Sequence, residues 1–199
     1  MGRVSQEQAA DNRAKVVATA ASLFRERGLD GVGIAELMAE AGLTHGGFYG
    51  QFGSKQELAG EACAYAFDST ERVWTSLAAS EPVGDDTGRL RRMAEFYFRP
   101  KLPGLGCPMA TLAGDAARAP AGGPVRRAFT MGLRRLADLV ARTPHHPPAG
   151  EPDAAWNAHA LAVMAAMVGA VVLRQASDDP ELGDAIERAV LGLARDRPA

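Results

Sequence analysis

Two stretches of this chain hold residue types at spacings that could do chemistry, the thiol of Cys107 and the run from Thr44 to Lys55. Cys107 follows Gly-Leu-Gly and precedes Pro108. Proline is favoured in the first position of a helix, so Cys107 is expected as the N-cap of a helix that opens there. A helix N-terminus favours the thiolate, the form that reacts with electrophiles and oxidants. The other reading of Cys107 is a small residue packed into a tight Gly-x-Gly-Cys-Pro turn. Cys63, among alanines in mid-helix, is expected only to pack. The two cysteines, 44 residues apart, make neither a disulfide framework nor a zinc site.

The run Thr44-His-Gly-Gly-Phe-Tyr-Gly-Gln-Phe-Gly-Ser-Lys55 offers different groups: hydroxyls, an imidazole, an amide and an ammonium. Phe48 and Phe52 are four apart and can share a buried face. Tyr49 is then turned outward, with a hydroxyl able to reach a phosphate. Ser54 and Glu57 have the spacing of a capping box, so a helix should start there with Lys55 in its first turn. Such an N-terminus is a ready site for an anion. Gly46 and Gly47 cost about 2 kcal/mol of helix propensity relative to alanine, at about 1 kcal/mol each. A sequence that accepts this needs its backbone close to something, either another helix or a DNA strand. The plainer alternative is a surface tyrosine in a small helical bundle.

The elements around this run must position it. Ile34, Leu37, Met38 and Ala41 recur at helical spacing, and Gly42 stands where a left-handed stop needs a residue without Cβ. Thr44 is expected to cap a second helix of about His45 to Gln51 with its side-chain oxygen. A helix, a glycine turn and a short second helix are the parts of a helix-turn-helix, whose second helix enters the major groove.

The run Ala41-Gly-Leu-Thr-His-Gly-Gly-Phe-Tyr-Gly-Gln-Phe-Gly-Ser-Lys-Gln-Glu-Leu58 resembles the signature of the TetR/AcrR family of bacterial transcriptional regulators. The resemblance is specific over about residues 12–62 and rests beyond that on length and helical layout. It implies an all-α homodimer with an N-terminal three-helix helix-turn-helix domain and a larger helical ligand-binding and dimerisation domain, about nine helices in all. It implies DNA phosphate contacts from Tyr49 and Lys55. The chain departs from the family pattern at Gly47 and Gly50, where larger residues are usual. Thr44, His45 and Gln51 then remain as candidates to read bases, with Gly46 at the contact.

Composition bounds the rest. Alanine and leucine are abundant and aromatics scarce, which favours an all-α fold long enough to bury a core. No stretch of about 18 uncharged apolar residues is present, and the N-terminus lacks the apolar centre of a signal peptide, so a cytoplasmic protein is expected. The net charge is −2, and residues 1–55 hold six Lys/Arg against six Asp/Glu. That balance counts against a DNA binder, whose domain is usually basic. Phosphate contacts can still form if the positive groups line the groove side and a dimer doubles them.

In chain order, residues 1–11 read as a disordered arm, with Arg3 solvated rather than on DNA. A helix of about Asn12 to Gly28 follows, with Val16, Val17, Ala20, Leu23 and Phe24 as its stripe. Asp30-Gly31 makes a turn, and Gly33 weakly caps the helix from Ile34. The helix from Ser54 should run to about Ala79, then a loop 80–87 and a helix from Gly88 to Arg99. The helix at Pro108 carries Met109, Leu112 and Ala113 up to a break at Ala119-Pro120. Val125–Ala141 is strongly helical, 143–152 is a Pro-rich loop, and Asp153 caps a long apolar helix to about Ala176. A last helix starts at Asp179-Pro180 and ends near Arg195. The division expected is 1–55 for DNA binding and 56–199 for ligand binding and dimerisation.

The helix ending near Ala176 is apolar almost all round, with Ala158, Ala162, Ala165, Ala166, Gly169 and Ala170 between larger residues. It must be buried on more than one side. The resemblance implies that the last two helices form a four-helix bundle with a partner subunit. A two-fold dimer would place two recognition helices roughly 34–36 Å apart, one DNA turn.

Aromatic and methionine residues of the middle helices should be mostly core. Trp74, Phe96 and Tyr97 are expected as walls of an apolar effector pocket, and the resemblance adds Cys107, because some related regulators sense reactive compounds with a cysteine at this place. His145-His146 reads as a solvated loop and His159 as a buried, hydrogen-bonded histidine, so no metal or cofactor is expected. No phosphate loop, His-Glu-x-x-His or Gly-x-Ser-x-Gly is present, and Asp115, Asp178 and Asp179 have no obvious partner, so no enzyme is expected. Together with these observations, the resemblance implies a ligand-responsive, DNA-binding regulator, most simply a repressor, with double-stranded operator DNA, an apolar or electrophilic small molecule and a second copy of the chain as partners. The alternative is a helical small-molecule binding protein without specific DNA binding.

Overall fold

A computed structural model describes residues 6–79, 86–141 and 158–194, and among them all regular structure is helical. The helices are α1 (Gln6–Arg27), α2 (Ile34–Glu40), α3 (Lys55–Ala79), α4 (Asp86–Phe98), α5 (Pro108–Thr111), α6 (Ala113–Arg118), α7 (Pro124–Ala141), α8 (Ala158–Ala176) and α9 (Pro180–Leu193). A 3-10 turn occupies His45–Gly47. Arg3, His145, His146, Asp153 and most of the loop expected at 80–87 lie outside the described residues.

The contacts divide the chain into two compact units, residues 1–69 with 101–132 and residues 70–100 with 133–199. In the first, α1 buries Val16, Val17, Ala20, Ala21 and Phe24 and stops at Gly28. It starts six residues earlier than expected, so residues 6–11 are not a disordered arm. Once the apolar stripe has nucleated the helix, adding polar residues free of Gly and Pro costs little. α2 ends in a Schellman motif: Leu43 N–H donates to the Met38 carbonyl at 2.8 Å and Gly42 N–H to Ala39 at 2.9 Å. Gly42 takes φ +70°, which only a residue without Cβ adopts at little cost.

The segment 101–132 packs in this same unit. Gly104, at φ +73°, lies so close to α1 that a Cβ there would sit 1.9 Å from Ser22 Oγ. The helix expected from Pro108 to Ala119 is broken at Leu112 into α5 and α6, and the buried Leu112 side chain anchors the break. Phe67 of α3 meets Phe129 edge-on at 5.3 Å and covers the backbone of Gly132 in α7.

In the second unit, α8 and α9 pack on one another and α4 packs on both. Asp179 caps α9, accepting the Leu182 N–H at 3.0 Å. Arg174 ties α8 to Asp184 and Glu187 of α9 at 2.5 and 3.2 Å. α8 buries Ala160, Val163, Met164, Met167 and Ala170 but leaves Val172 and Leu173 exposed, as α9 leaves Leu182 and Leu193. By length and composition α8 is apolar enough to cross a membrane, although His159 and Arg174 interrupt its apolar run.

Candidate nucleic-acid interface

The run from Thr44 to Lys55 folds differently in detail from a recognition helix of His45–Gln51. Only His45–Gly47 is regular, as a 3-10 turn, and residues 48–51 continue as a turn. Gly47 N–H donates to the Thr44 carbonyl at 3.0 Å and Phe48 N–H to His45 at 3.2 Å. One α-type bond follows, from Phe52 N–H to the Phe48 carbonyl at 2.9 Å. Three glycines in five residues weaken the α-helix by about 1 kcal/mol each, and the tighter, shorter turn is what survives. Thr44 occupies the N-cap position in extended conformation, but its side chain makes no capping bond, contrary to the sequence expectation.

Phe48 and Phe52 hold this turn to the protein. Both are buried, with ring centroids 5.5 Å apart. The Arg13 guanidinium covers Phe52 at 4.6 Å and forms a two-pronged pair with Glu61 at 2.5 and 2.6 Å. The Glu61 hydrogen bond raises the Arg13 pKa above its usual value, so this cation is charged at any working pH. A stack from Glu61 through Arg13 to Phe52 and Phe48 thus fixes the turn against α1 and α3.

The outer side of the turn carries the candidates. Tyr49 is 66% exposed and stands edge-on to Phe48 at 5.2 Å and to His45 at 5.8 Å. Thr44, His45 and Gly46 are also exposed. A Cβ on Gly46 would meet nothing within 4 Å, and its φ is not positive. Neither backbone conformation nor an internal neighbour therefore requires glycine there, which removes one of the two reasons the sequence offered for it. Gln51 points the other way: its Oε1 is buried and has no hydrogen-bond partner.

Lys55 is the first residue of α3, beside a capping arrangement in which Glu57 reaches back to Gly53 rather than to the N-cap Ser54. Ser54 Oγ accepts the Glu57 N–H at 3.1 Å, and Glu57 Oε2 accepts the Gly53 N–H at 2.9 Å. The turn residues and Lys55 are thereby held on one continuous, internally bonded segment. Lys15 of α1 joins them from a distance in sequence: its Nζ lies 3.4 Å from where a Gly42 Cβ would be. Its sequence position, between Ala14 and Val16 on α1, carries no signal of this placement.

Trp74 and Tyr97, expected as pocket walls, are brought together in the second unit, edge-on at 6.0 Å and both buried. Phe96 is half-buried beside the Arg99 guanidinium. Cys107 belongs to the first unit and these three to the second. It is the N-cap of α5, in extended conformation and half-buried, with no disulfide. Beside it lies Arg25, which donates to the Gly106 carbonyl at 3.3 Å and to the Ala21 carbonyl at 2.8 Å. Burial lowers the Arg25 pKa, and negative charge on Cys107 or Tyr65 opposes that lowering. Cys63 is buried, which pushes its thiol up to about 12. Asp115, for which the sequence offered no partner, accepts the Leu29 N–H at 3.0 Å and pairs with Arg118 at 2.6 Å. No group of His, Cys, Asp and Glu among the described residues could hold a metal ion.

Comparison with known proteins gives this arrangement a context. Residues 16–62 match the model of bacterial regulatory proteins of the tetR family. The chain is similar to a TetR transcriptional regulator from Chloroflexus aurantiacus, at 26% identity over 95% of both chains with a TM-score of 0.74. It shares the fold of reduced NemR from E. coli, at 21% identity over 90% of this chain and 95% of that one, TM-score 0.70. It also shares the fold of the multidrug binding protein EbrR, solved with imidazole, at 18% identity over the full length of both, TM-score 0.64. No curated protein matches the sequence directly.

Proposed function

We propose that this chain, whose residues 16–62 belong to the tetR family of bacterial regulatory proteins, is a homodimeric cytoplasmic repressor released from operator DNA by a small molecule or by modification of Cys107. Residues 1–55 bind DNA and residues 56–199 bind the effector and dimerise. The observation that carries the DNA-binding part is the outer side of the 3-10 turn. An exposed Tyr49, a Gly46 open to its surroundings and the α3 N-terminus with Lys55 belong to one internally hydrogen-bonded segment. A backbone without side chains there admits close approach of a phosphate chain, and the helix N-terminus favours its charge. Tyr49 and Lys55 supply positioning contacts, while Thr44 and His45 are placed to read bases.

The apolar residues left exposed on α8 and α9 support a two-fold dimer, which covers them with the same face of a second copy. Trp74, Phe96 and Tyr97 contribute to the effector site. Cys107 supplies the alternative trigger, since Arg25 provides a positive charge next to its thiol. Either event biases an equilibrium between two arrangements of the dimer, and a coupling of about 1–3 kcal/mol is enough to lower specific binding.

The experiment is binding to the DNA upstream of the protein's own gene, and to genome-wide fragments, with and without a thiol-alkylating agent. Retention against non-specific competitor, lost on alkylation in the wild type and kept in Cys107→Ser, is the expected result. A second reading, a helical small-molecule binding protein without operator binding, is favoured by one observation. The recognition element is reduced to a single 3-10 turn within a segment of balanced charge. Failure to retain any genomic fragment specifically selects it.

A further inference from the structure

In the unit formed by residues 70–100 and 133–199, α4 carries two arginines whose charged ends are turned inward. Arg89 is half-buried, and its Nη2 donates to the Leu139 carbonyl at 3.2 Å near the end of α7. Its Nε–H is buried with no hydrogen-bond partner. No carboxylate of the described residues pairs with Arg89, and Glu95 on the same helix is taken by Arg91 at 2.7 Å. In Arg92, Nε and Nη2 are also buried, in a residue that has interactions of its own. An N–H drawn out of water and left without an acceptor, as the Arg89 Nε–H is, is costly, and supplying an anion recovers that cost.

The surroundings say which kind of anion. Arg89, Arg92, Met93 and Phe96 follow one another at i, i+3, i+4 and i+7, so they lie along one side of α4. Met93 and Tyr97 are buried, and Trp74 meets Tyr97 edge-on at 6.0 Å. At 1.5 Å of rise per residue, the stripe from Arg89 to Tyr97 spans about 12 Å. A phosphate dianion needs many donors and polar walls. Here one orphaned N–H and a second guanidinium stand at the head of an apolar stripe, which matches a planar, singly charged carboxylate with a hydrophobic body.

We infer that this side of α4 binds an amphiphilic monocarboxylate, its carboxylate on Arg89 and Arg92 and its apolar body along Met93 and Phe96 toward the Trp74–Tyr97 pair. The inference rests on reading residues 56–199 as the effector-binding part. It adds the charge of the effector and the two residues that select it.

The test uses the full chain in calorimetry and thermal melts with benzoate, 2-naphthoate, octanoate and dodecanoate, each against its own neutral amide. At least one carboxylate should bind tenfold or more tighter than its amide. Arg89→Gln should lose that preference, and Arg89→Lys should keep part of it. The unliganded Arg89→Gln protein should melt no lower than wild type, because it no longer buries an unpaired cation. The inference is overturned if no carboxylate outbinds its amide, or if Arg89→Gln binds like wild type. It is also overturned if that variant melts several degrees lower without ligand, which would make Arg89 a structural cap of α7. DNA retention measured alongside separates the two readings. Carboxylate binding through Arg89 that leaves DNA affinity intact supports the site and overturns its effector role. DNA release by neutral compounds alone, with no carboxylate bound, overturns the site and leaves the regulator standing.

Discussion

The Asp115 carboxylate accepts the backbone N–H of Leu29 at 3.0 Å, across 86 residues of sequence. Leu29 follows the glycine that ends α1 and precedes the turn into α2, while Asp115 lies on α6, four residues after Thr111 closes α5. The helix that Cys107 caps is therefore tied, through α6, to the entry of the helix-turn-helix within one compact unit. Under the proposed function, a change at Cys107 has a route through α6, Asp115 and Leu29 toward the turn proposed to meet DNA.

This bond should be visible in stability. In Asp115→Ala the Leu29 N–H loses its acceptor and Arg118 its partner, and a lost buried acceptor costs about 1–3 kcal/mol. Urea denaturation should show a destabilisation in that range for Asp115→Ala and a clearly smaller one for Asp115→Asn, whose amide oxygen can still accept. Equal stability of all three proteins would remove the bond from the account.

Gly46 separates folding from binding. Its added Cβ meets nothing, and alanine reduces the freedom of the unfolded chain, so Gly46→Ala should stabilise the protein by about 0.4–1 kcal/mol. The same methyl group would stand between the turn and an approaching DNA backbone. A higher melting temperature together with weaker operator binding is the expected pair of results. Unchanged DNA affinity would mean that nothing approaches closely at this position.

Tyr49 and Lys55 should behave as phosphate contacts. Tyr49→Phe removes one hydroxyl from a ring that is two-thirds exposed, so stability should hold while DNA affinity falls by about 1.5–3 kcal/mol, the worth of a hydrogen bond to a charged group. The loss should be similar for specific and non-specific DNA. Lys55→Gln should lower the slope of log affinity against log salt by about 0.9 per dimer half-site. A loss confined to one base position would instead make either residue a base reader.

The two thiols should differ in reactivity. At pH 8 iodoacetamide should label Cys107, which is half-buried at a helix N-cap, and leave Cys63, whose thiol is held as S–H by burial up to about pH 12. Mass spectrometry of the native protein should find one added group, and none in Cys107→Ser. Labelling of Cys63 in the native state would show that α3 opens far more readily than its packing suggests.

Much of the fold was readable in the chain itself, because it rests on interactions between near neighbours. The stop at Gly42, the cap at Ser54 with Glu57, the proline start of α5 and the Asp179 cap of α9 each involve residues within five positions of one another. Phe48 and Phe52, four apart, are stacked as their spacing implied. The residues that carry the candidate interface were legible for the same reason, since they occupy twelve consecutive positions. What misled was propensity near its balance point: residues 6–11, polar apart from Ala9 and Ala10, joined α1, while the glycines of 46–50 reduced an expected helix to one 3-10 turn.

Tertiary structure decided whatever depends on which distant groups meet. Nothing in the sequence near Arg13 says that it will cover Phe52 and pair with Glu61, and nothing near Asp115 names Leu29. Gly46 and Gly104 look alike in sequence, yet one faces open space and the other presses on Ser22. The direction of Gln51, the placing of Arg25 beside Cys107 and the inward turn of Arg89 also had to be seen. Burial and pairing of charge are properties of a three-dimensional neighbourhood, and a helical period reports only the side of the helix, not what waits there.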